Sequence, residues 1–375
     1  MADLGGRGGT PSPDPRPALA TLEEAELTAL LAEAGAPAWR GDQLRAAAFR
    51  QGAPDLAAVR TLPEGLRREL DRRLRFQTLA HRAHQVADRG LTVKLLLTVA
   101  PGASVETVAM TYPAQPGRRA RRTVCVSTQV GCAIGCAFCA TGQLGLIRQL
   151  DAAEIVDQVR WATWLWHQQG EPPPTHVVFM GMGEPLQNLD ATVGAVRALV
   201  RLGISARRIV VSTSGVVPAI DRLGAAGLGV TLALSLHATR DSLRDRLVPL
   251  NRRWPIAACL EAATRYAAQS GRRLTLEYVL IAGVNDGDDD ARSLRQVAAA
   301  ARAHVNLIPM NQIPNSPWRG PSPAAARAFA ARVGARATLR FSRGDRAQAA
   351  CGQLRAELEP PLARLERLRA RRPEG

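Results

Sequence analysis

Aromatic side chains make up only 4 % of this 375-residue chain. That leaves little material for broad base-stacking platforms, the usual grip on single-stranded nucleic acid. No apolar run approaches the roughly 18–20 residues that a bilayer-spanning helix requires, so no membrane partner is expected. Residues 1–17 are rich in Gly, Pro and Asp and lack the apolar segment of a secretory leader. Six cysteines in so long a chain, with no such leader, argue against an extracellular disulfide framework. A reducing cytoplasm is the expected setting.

Charge is not scarce. Lys and Arg number 49 against 33 Asp and Glu, a net +16, and nearly all the cations are arginine. Arginine binds phosphate bidentately and stacks on bases, so the excess favours a polyanionic partner. An arginine-rich proteome from a GC-rich genome would give the same excess, so charge raises the nucleic-acid reading without deciding it.

The organisation changes along the chain. Residues 1–19 read as a disordered tail. Residues 20–80 read as a small helical accessory domain, with Leu27, Leu30 and Leu31 on one face and a second helix over 41–51. Residues 81–122 form a β-rich extension that ends in the basic run Arg118, Arg119, Arg121 and Arg122. From 123 to 355 the rhythm is strand, loop, helix, repeated. Strands are predicted at 123–127, 176–180, 208–212, 230–235, 274–279 and 305–308, with a seventh at 338–341. Helices are predicted at 152–168, 191–202 and 291–301, the first opened by an Asp151-x-x-Glu154 capping box. Such alternation demands a parallel α/β sheet, either doubly wound or a partial barrel. Residues 356–375 are a basic tail.

Chemistry-bearing residues fall at the predicted carboxyl ends of strands, the active face of parallel α/β folds. The most informative group is Cys132-Ala-Ile-Gly-Cys136-Ala-Phe-Cys139. Three thiolates in one loop suggest a metal centre with a coordination position left open, since closed zinc or iron–sulfur sites take four protein ligands. Zinc with a fourth ligand from elsewhere, such as His237, is the rival reading. Cys259 lies in an Ala-rich helix and reads as core filling.

The Cys-x3-Cys-x2-Cys loop resembles the signature of the radical S-adenosylmethionine (SAM) superfamily. Cys125-Val-Ser-Thr-Gln-Val-Gly-Cys132, Gly-Met-Gly-Glu-Pro-Leu-Gln-Asn188, Ser212-Thr-Ser-Gly-Val-Val-Pro218, Ser235-Leu-His237-Ala and Arg343-Gly-Asp-Arg-Ala-Gln-Ala-Ala-Cys351-Gly-Gln-Leu354 are similar to the narrower RlmN and Cfr group. The resemblance extends from about residue 22 to 358. It implies a partial (β/α)6 TIM-like barrel with a small amino-terminal helical domain. It also implies a 4Fe–4S cluster on Cys132, Cys136 and Cys139, whose open iron binds SAM. Gly183, Glu184, Ser212, Ser235, Leu236, His237 and Asn311 match the family's SAM contacts. Cys351 matches the thiolate that accepts a methyl group from one SAM before a second SAM supplies the radical. Cys125 matches the partner that frees the product through a transient disulfide, and Glu106 matches a proton acceptor.

The implied activity is methylation of adenine C2 in 23S rRNA, and in tRNA beside the anticodon. An electron donor such as flavodoxin or ferredoxin would serve it, and the chain is expected to act as a monomer. The basic run and the helical domain would supply phosphate contacts while the target base is unstacked, although each arginine alone is an ordinary solvated charge. Rival readings are a C8 methyltransferase of the Cfr type, a radical-SAM enzyme acting on protein, and a zinc-bearing RNA-binding protein.

Overall fold

The computed structural model describes residues 14–99, 102–313, 316–341 and 353. Three ten-residue helices come first, α1 (Glu24–Glu33), α2 (Arg40–Phe49) and α3 (Glu64–Arg73). The Glu26 carboxylate accepts the Glu23 backbone N–H at 2.8 Å, closing the exposed start of α1. Leu27 and Leu31, one turn apart, are fully buried, as are Leu44 of α2 and Leu70 of α3.

An antiparallel meander follows, β1 (Ala80–Ala87), β2 (Thr92–Val99) and β3 (Ala103–Tyr112), and β3 pairs antiparallel with β4 (Arg121–Cys125). After β4 comes a small separate hairpin, β5 (Gln129–Cys132) and β6 (Gly145–Gln149), with the one-turn α4 (Ala140–Gln143) between its strands. The alternating part then runs α5 (Ala152–Gln168), β7 (His176–Phe179), α6 (Leu189–Arg201), β8 (Ile209–Thr213), α7 (Val217–Ala225) and β9 (Thr231–Ser235). It continues through α8 (Asp241–Leu247), α9 (Ile256–Ser270), β10 (Thr275–Leu280), α10 (Asp288–Ala300), β11 (His304–Pro309), α11 (Pro323–Val333) and β12 (Ala337–Leu339).

All the large strands share one ten-stranded sheet in the order β1-β2-β3-β4-β7-β8-β9-β10-β11-β12. From β4 to β12 every neighbouring pair is parallel. This is the expected partial barrel, extended on one side by the meander. Predicted strands and helices fall close to the observed ones, and α5 has the predicted bounds. The β5–β6 hairpin and β1 carry no comparable sequence signal.

Helix α5 joins the parts. Asp151 accepts the Glu154 backbone N–H at 2.7 Å and Glu154 accepts that of Asp151 at 2.9 Å, so the predicted capping box forms. Unlike a surface helix, α5 is buried almost all round, because the amino-terminal helices lie on one side and the sheet on the other. Its polar side chains therefore bond across those contacts. Asp157 accepts the backbone N–H groups of Thr78 and Leu79 at 3.0 and 2.8 Å. Arg160 pairs with Asp157 and donates to the carbonyls of Ala53 and Pro54 at 2.8 and 3.1 Å. On the sheet side, the Gln158 amide oxygen accepts from Ser127 N–H and Thr107 Oγ1, both at 2.7 Å, and its Nε2 donates to Ser127 O at 2.8 Å.

Asp157 and Arg160 are both buried, so removing one strands the other's charge. Asp157→Ala is expected to lower stability by about 3–5 kcal/mol, read as a fall in the urea unfolding midpoint. A loss below about 1 kcal/mol would show that the pair does not hold the helical part to the barrel.

Candidate active site

Register places the site. Side chains directly paired across neighbouring strands lie on the same face of a sheet, and so do residues two apart on one strand. Val93, Leu95, Leu97, Thr107 and Val124 form one buried face, which meets α5 through the Thr107–Gln158 bond. The opposite face carries Glu106, two residues from Val108, and Cys125, which pairs with Val108. The pairing Cys125↔Val178↔Val210 carries that face to Ser212. Ser212↔Ala233 and Ser235↔Glu277↔Asn306 carry it further. Glu106, Cys125, Ser212 and Ser235 therefore share one face; Cys125 and Ser235 close their strands and Ser212 is the last residue but one of β8. The Ser212 and Ser235 hydroxyls are 3.2 Å apart. Leu236 is buried just past β9, and Asn311 follows β11.

The cysteine loop leaves β5 at Cys132. Gly131 has φ +75°, and a Cβ there would collide with the Gly145 carbonyl across the hairpin, so only glycine permits this pairing. Cys139 N–H donates to Cys136 O at 3.1 Å, and Ala137 N–H donates to Leu247 O at 3.0 Å, seating the loop on the end of α8. Cys132, Ile134 and Phe138 pack with Leu243, Leu247 and Val248 in an apolar cluster of their own. Burial pushes the Cys132 thiol up to about 12. It also raises Cys136 and Cys139, and for Cys136 the neighbouring thiols and Glu184 add to the effect. Thiols raised in this way do not ionise unaided. A cationic metal centre that binds thiolates removes that penalty, so this donor set fits one. Among the described residues no three His, Cys, Asp or Glu side chains are gathered as a site for a single metal ion.

Gly183 and Glu184 follow β7. Gly183 has φ +104°, and a Cβ would lie 2.6 Å from that of Gln129. Glu184 is buried, and its N–H donates to Gln129 Oε1 at 2.8 Å. Its carboxylate accepts from Leu186 N–H at 3.0 Å, Ser214 N–H at 2.8 Å and the Ser214 hydroxyl at 2.7 Å. Burial raises its pKa, opposed by the Ser214 bonds. Glu184 thus has a structural task, tying the loop after β7 to the loop after β8, besides any ligand it meets.

His237 sits at φ +59°, an uncommon backbone for a non-glycine residue, held where Asn285 Nδ2 donates to its carbonyl at 2.8 Å. Its Nδ1 accepts from Val279 N–H at 3.1 Å, which assigns the ring proton to Nε2. Burial, then the charge of Arg244, pushes it down to about 3, so the ring is neutral. Its ring meets Phe138 of the cysteine loop edge-on at 4.6 Å.

Cys125 is buried at the end of β4. Glu106 Oε1 pairs with Lys94 Nζ at 2.8 Å, their side chains 4 % and 12 % exposed. Cys351 lies outside the described residues. Of the basic run, Arg118 and Arg119 are exposed. Arg121 stacks on Tyr112, and Arg122 donates to the Pro173 carbonyl at 3.1 Å. Cys259 is buried in α9, as core filling requires. Sequence reasoning missed Lys94, Gln129, Ser214 and Arg244. Lys94 had an available signal, because it is the only lysine in the chain. The other three act through bonds to partners distant in sequence. No helix among the described residues is long and apolar enough to cross a membrane.

Comparison with known proteins agrees with this layout. Residues 126–294 match the Radical SAM superfamily. The chain is 46 % identical over 369 residues to a "probable dual-specificity RNA methyltransferase RlmN" of Frankia alni, covering 94 % of this chain and 86 % of that protein. The protein of the same description from Moorella thermoacetica is 44 % identical over 337 residues, covering 88 % of this chain and 94 % of that one. A crystal structure of a radical SAM methyltransferase from Sphaerobacter thermophilus superposes with a TM-score of 0.84 at 48 % identity, covering 91 % of this chain and all of that chain.

Two outcomes follow from the geometry. Lys94→Met leaves a buried carboxylate without its cation and is expected to cost about 3–5 kcal/mol; an unchanged unfolding midpoint would exclude a structurally important pair. For His237, the depressed folded value of about 3 against 6.5 when unfolded means that the unfolded chain takes up the proton first as pH falls. Its contribution is fully present above about pH 6.5 and is lost toward pH 3, at up to about 1.4 kcal/mol per pH unit. Urea midpoints from pH 7 down to 4 should therefore fall less steeply in His237→Gln than in the parent; equal slopes would contradict the assignment.

Proposed function

The chain belongs to the RlmN family of radical SAM RNA methyltransferases, and from that premise we propose that it forms 2-methyladenosine in 23S rRNA and in tRNA beside the anticodon. The observation that carries this reading is the single sheet face on which Glu106, Cys125, Ser212 and Ser235 lie, with Phe138 of the cysteine loop against His237 just past the end of β9.

The family's 4Fe–4S cluster would be held by Cys132, Cys136 and Cys139, the first buried and the other two half-buried. When bound, the cluster supplies the electron for reductive cleavage of SAM, the source of the radical that activates a methyl group. Ser212, Ser235, Leu236, His237 and Asn311 would bind SAM from the strand ends, beside Gly183 and Glu184. His237 offers Nε2–H as a fixed donor, because its Nδ1 is occupied by Val279 N–H. Gly183 lets the backbone before Glu184 approach Gln129 without a side chain in the way.

An aryl C–H carbon is not nucleophilic, so direct methyl transfer from SAM to it fails. Cys351 would first take a methyl group as a thiolate nucleophile. Once that carbon has given a hydrogen atom to the SAM-derived radical and bonded to the adenine ring, the adduct would give up one electron to the electron-transfer chain as Glu106 accepts the proton from the ring carbon. Cys125 would then attack the sulfur of Cys351. The S–S bond forms as the S–C bond breaks, and the released methylene carbon takes a proton to become the methyl group. Lys94 would keep Glu106 oriented across the β2–β3 ladder. A one-electron carrier such as flavodoxin or ferredoxin would supply electrons, and a monomer suffices for every role named.

The test is anaerobic reconstitution followed by incubation with methyl-labelled SAM and protein-free rRNA or unmodified tRNA. Iron should reach about four per chain, and nucleoside mass spectrometry should show labelled 2-methyladenosine in both RNAs. Cys351→Ala should abolish it. Product at C8 would overturn the regiochemistry, methylation surviving Cys351→Ala would overturn the thiol mechanism, and a colourless zinc protein would overturn the whole reading.

A further inference from the structure

Arg244, on α8, is completely buried. Its guanidinium has an acceptor for each of its five N–H bonds. Nε donates to Leu236 O at 3.0 Å. Nη2 donates to Ser235 O at 3.0 Å and to Ser214 O at 2.6 Å. Nη1 donates to Asn251 Oδ1 at 2.8 Å and, more weakly, to Cys259 Sγ at 3.8 Å. No carboxylate is among these partners. Asp241 and Asp245 reach it only through Asn251, whose Nδ2 donates to them at 2.9 and 2.7 Å. A buried cation held by neutral acceptors is costly to keep unless an anion lies nearby.

The surroundings indicate where that anion belongs. Ser214, whose carbonyl Arg244 binds, uses its N–H and hydroxyl to hold the Glu184 carboxylate. Ser235, which ends β9, and Leu236, which follows it, are the other two carbonyl partners and directly precede His237. The cysteine loop rests on the carboxyl end of the same helix through Ala137 N–H to Leu247 O at 3.0 Å. Arg244 lies one turn before Leu247 on α8, so its buried charge and the seat of the cysteine loop share one short helix.

We propose that Arg244 is a positioning residue for the cluster and SAM pocket. Its fork clasps the ends of β8 and β9 behind the cysteine loop, and its permanent charge favours the one-electron-reduced cluster. This rests on the reading above that Cys132, Cys136 and Cys139 hold a 4Fe–4S cluster. Such a cluster with three thiolates gains negative charge on reduction, and nearby charge is one of the levers that set its potential. Removing the cation makes reduction harder, so the potential moves to more negative values. A lysine keeps the charge but lacks the planar fork that spans three carbonyls.

Arg244→Gln and Arg244→Lys of the full chain, reconstituted anaerobically, separate the two roles. Potentiometric titration with dithionite, followed by electron paramagnetic resonance, reads the reduction equilibrium. Equilibrium dialysis with labelled SAM reads binding. Arg244→Gln is expected to disfavour reduction about tenfold, a shift of about 59 mV for a one-electron couple. Arg244→Lys should keep the parent potential but bind SAM several-fold more weakly. An unchanged potential in Arg244→Gln with full iron content would overturn the charge role. Parent-like SAM binding in Arg244→Lys would overturn the clasp. Should the Gln variant not fold, the Lys variant decides, because a lysine form that also fails to fold or to take up iron makes Arg244 a fold element only and overturns the proposal. Absence of a cluster from the parent chain would instead sink the functional reading on which this rests.

Discussion

A parallel sheet with unbroken register from β4 to β12 is the constraint on which the site depends. Alternation of side chains across a strand is strict, so a slip of one residue in any strand would turn its polar residue away from the others. Cys125, Ser212 and Ser235 sit on three strands far apart in sequence, yet register alone brings them to one face. The antiparallel meander extends that face to Glu106 and Lys94. Because β3 pairs directly with β4, the extension continues the same sheet face instead of lying apart from it.

Burial then sets the electrostatics. Glu184, His237 and Arg244 are buried beside the cysteine loop, where unpaired charge is expensive. Thiols are pushed toward their neutral form and His237 is kept unprotonated. Glu184 and Arg244 are joined through Ser214, whose amide and hydroxyl serve the carboxylate and whose carbonyl serves the guanidinium. The same bonds that satisfy these buried charges also fix the ends of β8 and β9.

Legibility in the sequence followed the range of the interaction. The start of helix α5 was readable because its capping box is local, spanning Asp151 to Glu154. The parallel strands were readable because apolar runs alternate with helical segments. The β5–β6 hairpin was not, since its cue is a backbone approach between Gly131 and Gly145. The loop of Gly183 and Glu184 was readable as unusual, but its capping by Ser214 was not, because that bond crosses thirty residues. Arg244 looks like any other of the many arginines until its burial is seen.

By itself, the sequence determined the alternating α/β class, the three-cysteine loop and its family, because these rest on spacing within short segments that no tertiary contact can alter. Only the tertiary structure decided that Lys94 faces Glu106, that Ser214 bridges Glu184 to Arg244, and that the proton of His237 lies on Nε2. Each of these depends on the distance between groups far apart in the chain, and only the folded sheet and its helices set that distance.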